Sequence, residues 1–156
     1  MRRIDEFNSQ NMANTVWAFA TAGVMALALF EAIAAEAVRR IHAFNSQDMA
    51  NTLWAFATAG VSAVTLFEAV ALKAVPRLDA FNSQDMANTV WAFATAGVSA
   101  PTLFEAIAAE ALRRLNEFTS QNMANTLWAF ATAGVSAVTL FEAVALEVVR
   151  RVDEYN

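Results

Sequence analysis

Residues 44–60 read FNSQDMANTLWAFATAG, and nearly the same stretch returns at residues 7–23, 81–97 and 118–134. The copies begin at Phe7, Phe44, Phe81 and Phe118, so each lies 37 residues after the one before it. A period of this length is typical of repeat proteins, in which each repeat is one small unit that packs on its neighbours.

The quoted stretch carries the signals of one amphipathic helix. Asn45 is a favourable N-cap, and Phe44 and Met49 flank it as a hydrophobic staple would. Asp48 stands in the first turn, where the helix dipole favours a negative charge. Gly60 is suited to the left-handed conformation that ends many helices. We therefore predict a helix between Asn45 and Gly60 in this repeat and in the three others.

A second apolar stripe follows in each repeat, in the second one between Leu66 and Leu78. Its spacing predicts another helix, for which Ser62 would be the N-cap. Pro76 lacks the N–H that would bond to Leu72, so a bend is expected there and in no other second helix.

Two short amphipathic helices cannot bury their apolar stripes alone, so the hairpins must stack. The predicted fold is all-α: an α/α solenoid of four 37-residue helix-turn-helix repeats, expected to wind as a right-handed superhelix. The predicted repeats are 7–43, 44–80, 81–117 and 118–154, and residues 1–6 match the end of a preceding second helix. Because neither end carries a polar capping repeat, we expect a longer parent protein or end-to-end self-association.

Composition excludes several classes of function. Hydrophobic residues make up 58% of the chain, yet the pieces between helix-stopping residues are too short to span a membrane. There is no cysteine, which fits an intracellular compartment, and His42 is the only histidine. A metal site, a cofactor, a small-molecule substrate and catalysis are therefore not expected. The net charge of −5 differs from the basic balance of most nucleic-acid-binding domains.

One tryptophan recurs in each first helix. The four indoles could stack on nucleobases, but they fall on the apolar stripe, and we predict that they are core residues. They are Trp17, Trp54, Trp91 and Trp128.

Two polar rows on the first helices are the candidate nucleic-acid-binding residues. A carboxamide both donates and accepts hydrogen bonds, which suits the edge of a base. The alternative is that these side chains bond across the repeat junctions or only complement the helix dipole. The rows are Asn11, Asp48, Asp85 and Asn122, and Asn14, Asn51, Asn88 and Asn125.

Cations gather at the ends of the second helices and could follow a phosphate chain along one edge of the array. The alternative is that they complement the helix dipoles and pair with glutamates one turn earlier, as Glu36 with Arg40. The candidate phosphate contacts are Arg40, Arg77, Arg114 and Arg151.

The run from Met49 to Gly60 resembles the first-helix signature of octotricopeptide-repeat proteins and of their FAST-leucine-rich relatives. All four repeats carry it. The resemblance implies single-stranded RNA as a partner, bound through first-helix side chains, and a mitochondrion or chloroplast as the location.

Three hypotheses follow. The favoured one is a non-catalytic solenoid that binds single-stranded RNA. The second is a protein–protein interaction scaffold whose groove or apolar ends bind a peptide or another copy. The third is a self-associating or designed array of near-identical repeats without a nucleic-acid ligand.

Overall fold

A computed structural model describes residues 3–154, which form eight α-helices joined by short turns and 3-10 helices, with no strand in this range. The first helices of the four repeats are α1 (Ser9–Ala22), α3 (Ser46–Ala59), α5 (Ser83–Ala96) and α7 (Ser120–Ala133). The second helices are α2 (Leu27–Arg39), α4 (Val64–Ala74), α6 (Pro101–Arg113) and α8 (Val138–Glu154). Of the predicted helix end at residues 1–6, a 3-10 helix covers Arg3–Glu6, and Met1 and Arg2 lie outside the described residues.

The first helices begin and end as their sequence predicts. In α3 the Asn45 side chain accepts from the Asp48 N–H at 2.7 Å, and the Asp48 carboxylate accepts from the Asn45 N–H, which completes a capping box. At the other end Gly60 has φ 72°, and the N–H of Val61 donates to the Phe56 carbonyl oxygen at 3.0 Å. Hydrogen bonds of this kind after a left-handed glycine provide donors for carbonyl oxygens that have no partner within the helix. The other three first helices also have a capping box and a left-handed glycine, with Thr119 as the N-cap of α7.

The second helices begin differently from the prediction. Ala63 occupies the N-cap of α4 with φ −152° and ψ 57°, and no side chain caps the helix. The predicted cap Ser62 is wrong: it is exposed and lies one residue too early. The capped turn at Gly60 and the buried Val61 already fix how the chain enters α4. Packing of Val61 therefore replaces a polar cap at this helix start.

Pro76 ends α4 and does not bend it. The helix stops at Ala74 and a 3-10 helix follows over Val75–Ala80, with Arg77 at φ −122°. In α2 and α6 the helix continues to Arg39 and Arg113, the positions that correspond to Pro76. The missing proline N–H thus costs this repeat the last two residues of its helix.

Consecutive first helices pack against one another along their whole length, whereas consecutive second helices touch over only a few residues. Alanines such as Ala50 and Ala87, both fully buried, allow the close approach of the first helices. The chain is therefore an all-α solenoid, and its more tightly packed layer is formed by the first helices. The handedness of the superhelix and the repeat boundaries stay predictions.

Phenylalanines join one repeat to the next in the core. Phe30 meets Phe56 edge to face with ring centroids 5.0 Å apart, and both side chains are fully buried. The same contact recurs as Phe67–Phe93 and Phe104–Phe130. Each junction is therefore held by one aromatic pair between a second helix and the following first helix.

Candidate binding surface on the first helices

Each first helix turns the same four side chains toward solvent, which in α3 are Gln47, Asn51, Trp54 and Thr58. Their spacing of four, three and four residues places them along one side of a helix. We call the four sets together the first-helix face. Its other members are Gln10, Asn14, Trp17 and Thr21, then Gln84, Asn88, Trp91 and Thr95, then Gln121, Asn125, Trp128 and Thr132.

The tryptophans form a continuous ladder across this face. Neighbouring indole centroids lie 6.2, 6.3 and 6.4 Å apart, and the ring planes differ by about 30° at each step. Trp17 and Trp128 at the two ends are 45% and 48% exposed, and Trp54 and Trp91 are half-buried. The prediction that the indoles belong to the core is therefore wrong for Trp17 and Trp128, whereas Trp54 and Trp91 are partly buried and pack against the core.

Neighbouring residues explain why the tryptophans lie at the surface. Leu53 and Phe56 are fully buried and take the part of α3 that points into the core. Trp54 lies about 100° from Leu53 around the helix, so its ring emerges at the edge of the apolar stripe. The close spacing of the first helices then brings each indole against the next one.

One of the two predicted polar rows is open to solvent. Asn14 is exposed, and Asn51, Asn88 and Asn125 are half-buried. Their carboxamides form no hydrogen bond with any other residue in 3–154, so the alternative of bonds across the repeat junctions is not seen. A row of donors and acceptors therefore lies beside the tryptophan ladder with its hydrogen-bonding capacity unused.

The other predicted row lies in the junctions between repeats. Asp48 and Asp85 are 7% and 6% exposed. Besides its capping box, the Asp48 carboxylate accepts from the Ser9 hydroxyl at 3.0 Å, and Asn122 accepts from Ser83 in the same way. Asn11 in α1 is exposed. The structure thus replaces two open polar rows by one open row and one that joins the repeats.

Burial also changes the acidity of Asp85 in this row. Desolvation raises the pKa of Asp85, while hydrogen bonds from the Asn82 backbone and the Ser46 side chain act in the opposite direction. Asparagine in the same place forms the same capping box without a buried charge, as Asn11 does with Asn8. Asp and Asn therefore fill one structural role at this position.

Three of the four predicted phosphate contacts are held by internal partners. Arg40 donates to the Ile4 carbonyl oxygen at 3.3 Å and pairs with Glu36 at 2.9 Å. Arg114 and Arg151 donate in the same way to Leu78 and Leu115 of the preceding repeat, each at 3.3 Å. These arginines therefore tie neighbouring repeats together at the second-helix edge.

A glutamate one turn earlier holds two arginines in three of the repeats, an arrangement we call the glutamate clamp. Glu36 binds Arg39 and Arg40, and the clamps of the third and fourth repeats are Glu110 and Glu147. Hydrogen bonds from Arg150 and Arg151 lower the pKa of Glu147 to about 2. Each clamp glutamate thus offsets the charge of one of its two arginines.

The second repeat departs from this pattern. Lys73 stands in place of the clamp glutamate, and Pro76 replaces the first arginine. Arg77 is exposed and forms no ion pair with another residue in the described range. Among the four predicted phosphate contacts, Arg77 is therefore the one whose charge is available to a ligand.

Neither a metal-binding cluster nor a membrane-spanning helix is found in the part of the chain described. No group of three or more histidine, cysteine, aspartate or glutamate side chains in residues 3–154 could hold a metal ion. No helix in the same range is long and apolar enough to cross a membrane.

Sequence reasoning identified the Asn14 row but left out the glutamines and threonines that extend it. The signal was present, because Gln47, Asn51, Trp54 and Thr58 follow a helical spacing in every repeat. These four residues are recognised as one exposed side of the helix only when Trp54 is placed at the surface and not in the core.

The fold and the first-helix face define an α-solenoid repeat protein with one polar and aromatic side repeated four times. A family model described as "RESC6: RNA-editing substrate-binding complex 6 protein" matches residues 1–156. Because this match covers the entire sequence, the chain belongs to that family. No curated protein matches the chain. The family description supports the RNA-related class of function that the octotricopeptide resemblance implies, at the level of an RNA-editing complex.

Proposed function

We propose that this chain is a non-catalytic RNA-binding component of the complex its family description names, and that it binds single-stranded RNA along the first-helix face. The observation that carries the proposal is the row of unpartnered carboxamides beside the tryptophan ladder. The octotricopeptide resemblance supports the same face, since in those proteins first-helix side chains contact the RNA.

The residues of the face have complementary roles in the proposal. Asn14, Asn51, Asn88 and Asn125 donate to and accept from base edges. The indoles offer apolar edges and N–H donors, and at the two ends of the ladder they offer open ring faces for stacking. The Asn11, Asp48, Asp85 and Asn122 row acts indirectly, by fixing the register of one first helix on the next.

Charge has a small part in this binding. The clamped arginines Arg40, Arg114 and Arg151 already have carboxylate or carbonyl partners, which leaves Arg77 as the main phosphate contact. Counterion release is then small, and affinity should fall by less than about tenfold over the salt range in which strongly basic proteins lose far more.

The proposal is tested by titrating labelled single-stranded homopolymers of A, C and U at two salt concentrations. The double variant Asn51→Ala, Asn88→Ala should weaken binding about tenfold, since each lost hydrogen bond is worth ~0.5–1.5 kcal/mol. Asn116→Ala is the matched control, because Asn116 is an exposed carboxamide in the turn before α7 and outside the first-helix face.

Two results would contradict the proposal. One is the absence of binding to all three homopolymers at low salt. The other is an equal loss in the Asn116→Ala control, which would mean that carboxamides anywhere on the surface contribute alike. Retained helical content, measured by circular dichroism, shows that the variants are folded.

The second candidate function is a protein-binding scaffold, which the outer side of the second helices favours. Leu72 and Leu146 are 80% and 75% exposed there, and an apolar cleft of about 440 Å³ lies between α4 and α6. Reconstitution with the other proteins of the complex distinguishes the two functions. Under the scaffold hypothesis Leu72→Lys prevents incorporation, whereas Asn116→Lys, an exposed control outside the cleft, leaves it intact.

A further inference from the structure

The four stretches that form the first helices differ from one another at only three positions. One is the N-cap, which is asparagine in three repeats and threonine in the fourth. The second is the junction row that contains Asp48, and the third is the core position occupied by Leu53 in α3. Each of these side chains caps a helix or packs inside the array, so the variation lies outside the first-helix face.

The first-helix face itself is identical in every repeat. It presents one glutamine, one asparagine, one tryptophan and one threonine, which in α3 are Gln47, Asn51, Trp54 and Thr58. None of them carries a charge, and the glutamine, asparagine and threonine side chains of the face form no hydrogen bond with another residue in 3–154. The groups open to a ligand are therefore of the same kind in all four repeats.

These identical faces also follow one another at a constant spacing. Neighbouring indole centroids lie 6.2, 6.3 and 6.4 Å apart, and their ring planes differ by 30°, 28° and 31°. Bases stacked in a duplex follow one another at ~3.4 Å along each strand. One step of the face is about twice that rise, so a strand that places one base on each repeat is drawn out and unstacked. Unstacked bases are the form in which proteins read single-stranded RNA.

Identical side chains at equal spacing limit which RNA sequences the face can favour. Each carboxamide can donate and accept a hydrogen bond, and the four bases differ in where their edges carry donors and acceptors. A given set of side chains therefore favours one base over the others by a fixed factor. In helical repeats that read single-stranded RNA, two or three side chains of each repeat select one base. Because the four sets are identical here, each should favour the same base.

We propose that the preferred ligand of the first-helix face is an uninterrupted run of one base in single-stranded RNA, read at one nucleotide per repeat. This inference rests on the proposed function and deepens it by naming the class of sequence that binds. Asn51 and Asn88 are the selecting residues of the second and third repeats. A strand that shifts by one nucleotide along such a run restores every contact, so the same run binds in several registers.

RNAs of equal length and composition test the run directly. Titration of the A, C and U homopolymers first identifies the base that binds most tightly and the base that binds least tightly. RNAs of twelve nucleotides, half of each base, are then compared with the two bases in blocks of six, three, two or one. On this chain a block of six places the preferred base on all four repeats. A block of three leaves one repeat on the disfavoured base, and shorter blocks leave two.

Affinity, measured by fluorescence anisotropy, should fall with each repeat that faces the disfavoured base. One such repeat loses about one hydrogen bond, which corresponds to about a threefold loss of affinity. Blocks of three should therefore bind about threefold more weakly than blocks of six, and blocks of two or one about tenfold more weakly. The two homopolymers should differ by more than about tenfold for the same reason.

Three outcomes of this series contradict the inference in different ways. Equal affinity for all the RNAs would show that the face binds RNA without selecting a base, which overturns the inference and leaves the proposed function standing. Tightest binding of the alternating RNA would show that two nucleotides pass each repeat. Failure of all three homopolymers to bind would remove the proposed function as well.

Asn51→Ala and Asn88→Ala test whether neighbouring repeats read the same base. Each removes one selecting carboxamide, so each should lower the ratio of the two homopolymer affinities by the same factor, about threefold, and the double variant by about tenfold. A merely structural role would weaken both RNAs alike and leave the ratio unchanged. Asn116→Ala, an exposed carboxamide outside the face, is the matched control and should not change the ratio.

Unequal factors for the two single variants would mean that the repeats do not read alike, and an unchanged ratio would mean that these carboxamides do not select the base. Either result overturns the inference. Circular dichroism melts separate both from unfolding. Because the Asn51 and Asn88 carboxamides have no partner within residues 3–154, their alanine variants should melt as wild type does.

Discussion

Local sequence signals determine where the first helices of this chain begin and end, whereas neighbouring residues determine the length of the second helices. All four first helices are 14 residues long, with a capping box at one end and a left-handed glycine at the other. The second helices have 13, 11, 13 and 17 residues, and the starts of α2, α4 and α6 have no side-chain cap. Where local signals mark both ends, the helix is the same in every repeat; where they are missing, neighbouring residues decide its length.

The two layers also differ in the surface that they expose. The first-helix face is the same in all four repeats, whereas one exposed position on the second helices alternates as Ala35, Leu72, Ala109 and Leu146. A repeated face suits a ligand that is itself repetitive, such as a nucleic-acid strand. A face that changes between repeats suits contacts made once, as between folded proteins.

The largest effect should come from comparing a core ring with a ladder ring in α3. Phe56 is fully buried, so Phe56→Ala should lower the free energy of unfolding by about 3–5 kcal/mol. Trp54 is half-buried and stacks on the neighbouring indoles, so Trp54→Ala should cost only about 1–2 kcal/mol. Urea unfolding followed by circular dichroism measures both. Equal losses would mean that the ladder belongs to the core.

Trp54 also shows how far the sequence predicts this molecule. The helices, the Asn45 cap and the Gly60 end follow from local signals, which act within a few residues. Which edge of the apolar stripe faces solvent depends on how closely the next helix approaches. That distance cannot be read from the sequence of a single helix. Asp48 was misplaced for the same reason, since its burial is created by α1 of the preceding repeat.

The next comparison concerns the glutamate clamp, which the second repeat lacks. Lys73→Glu combined with Pro76→Arg installs the residue types found at Glu36 and Arg39. The double variant should extend α4 by two residues and raise the free energy of unfolding by about 1 kcal/mol, mainly because the proline is removed. Pro76→Ala is the control that removes the proline without adding a clamp. No gain over that control would show that the clamp contributes nothing measurable.

At acid pH the double variant should lose the part of its gain in the free energy of unfolding that comes from the glutamate clamp. The pKa of Glu147 is lowered from 4.5 to about 2 by its arginines, so its carboxylate stabilises the fold above pH 4.5 and loses that effect as the pH falls toward 2. A carboxylate introduced by Lys73→Glu should behave alike. The difference between the double variant and Pro76→Ala should therefore shrink through this acid range. A difference that is constant with pH would contradict the ion pairing.

The smallest effects should separate the two kinds of helix start. Asn45→Ala removes the acceptor of the 2.7 Å capping bond in α3 and should cost about 1 kcal/mol. Ser62→Ala should change stability by less than about 0.5 kcal/mol, because Ser62 is exposed and makes no capping bond to α4. Both are measured by thermal or urea unfolding, with Asn82→Ala as a second test of the α5 cap. If Ser62→Ala cost as much as Asn45→Ala, the second helices would also depend on polar caps. The two layers would then not differ in how their helices begin.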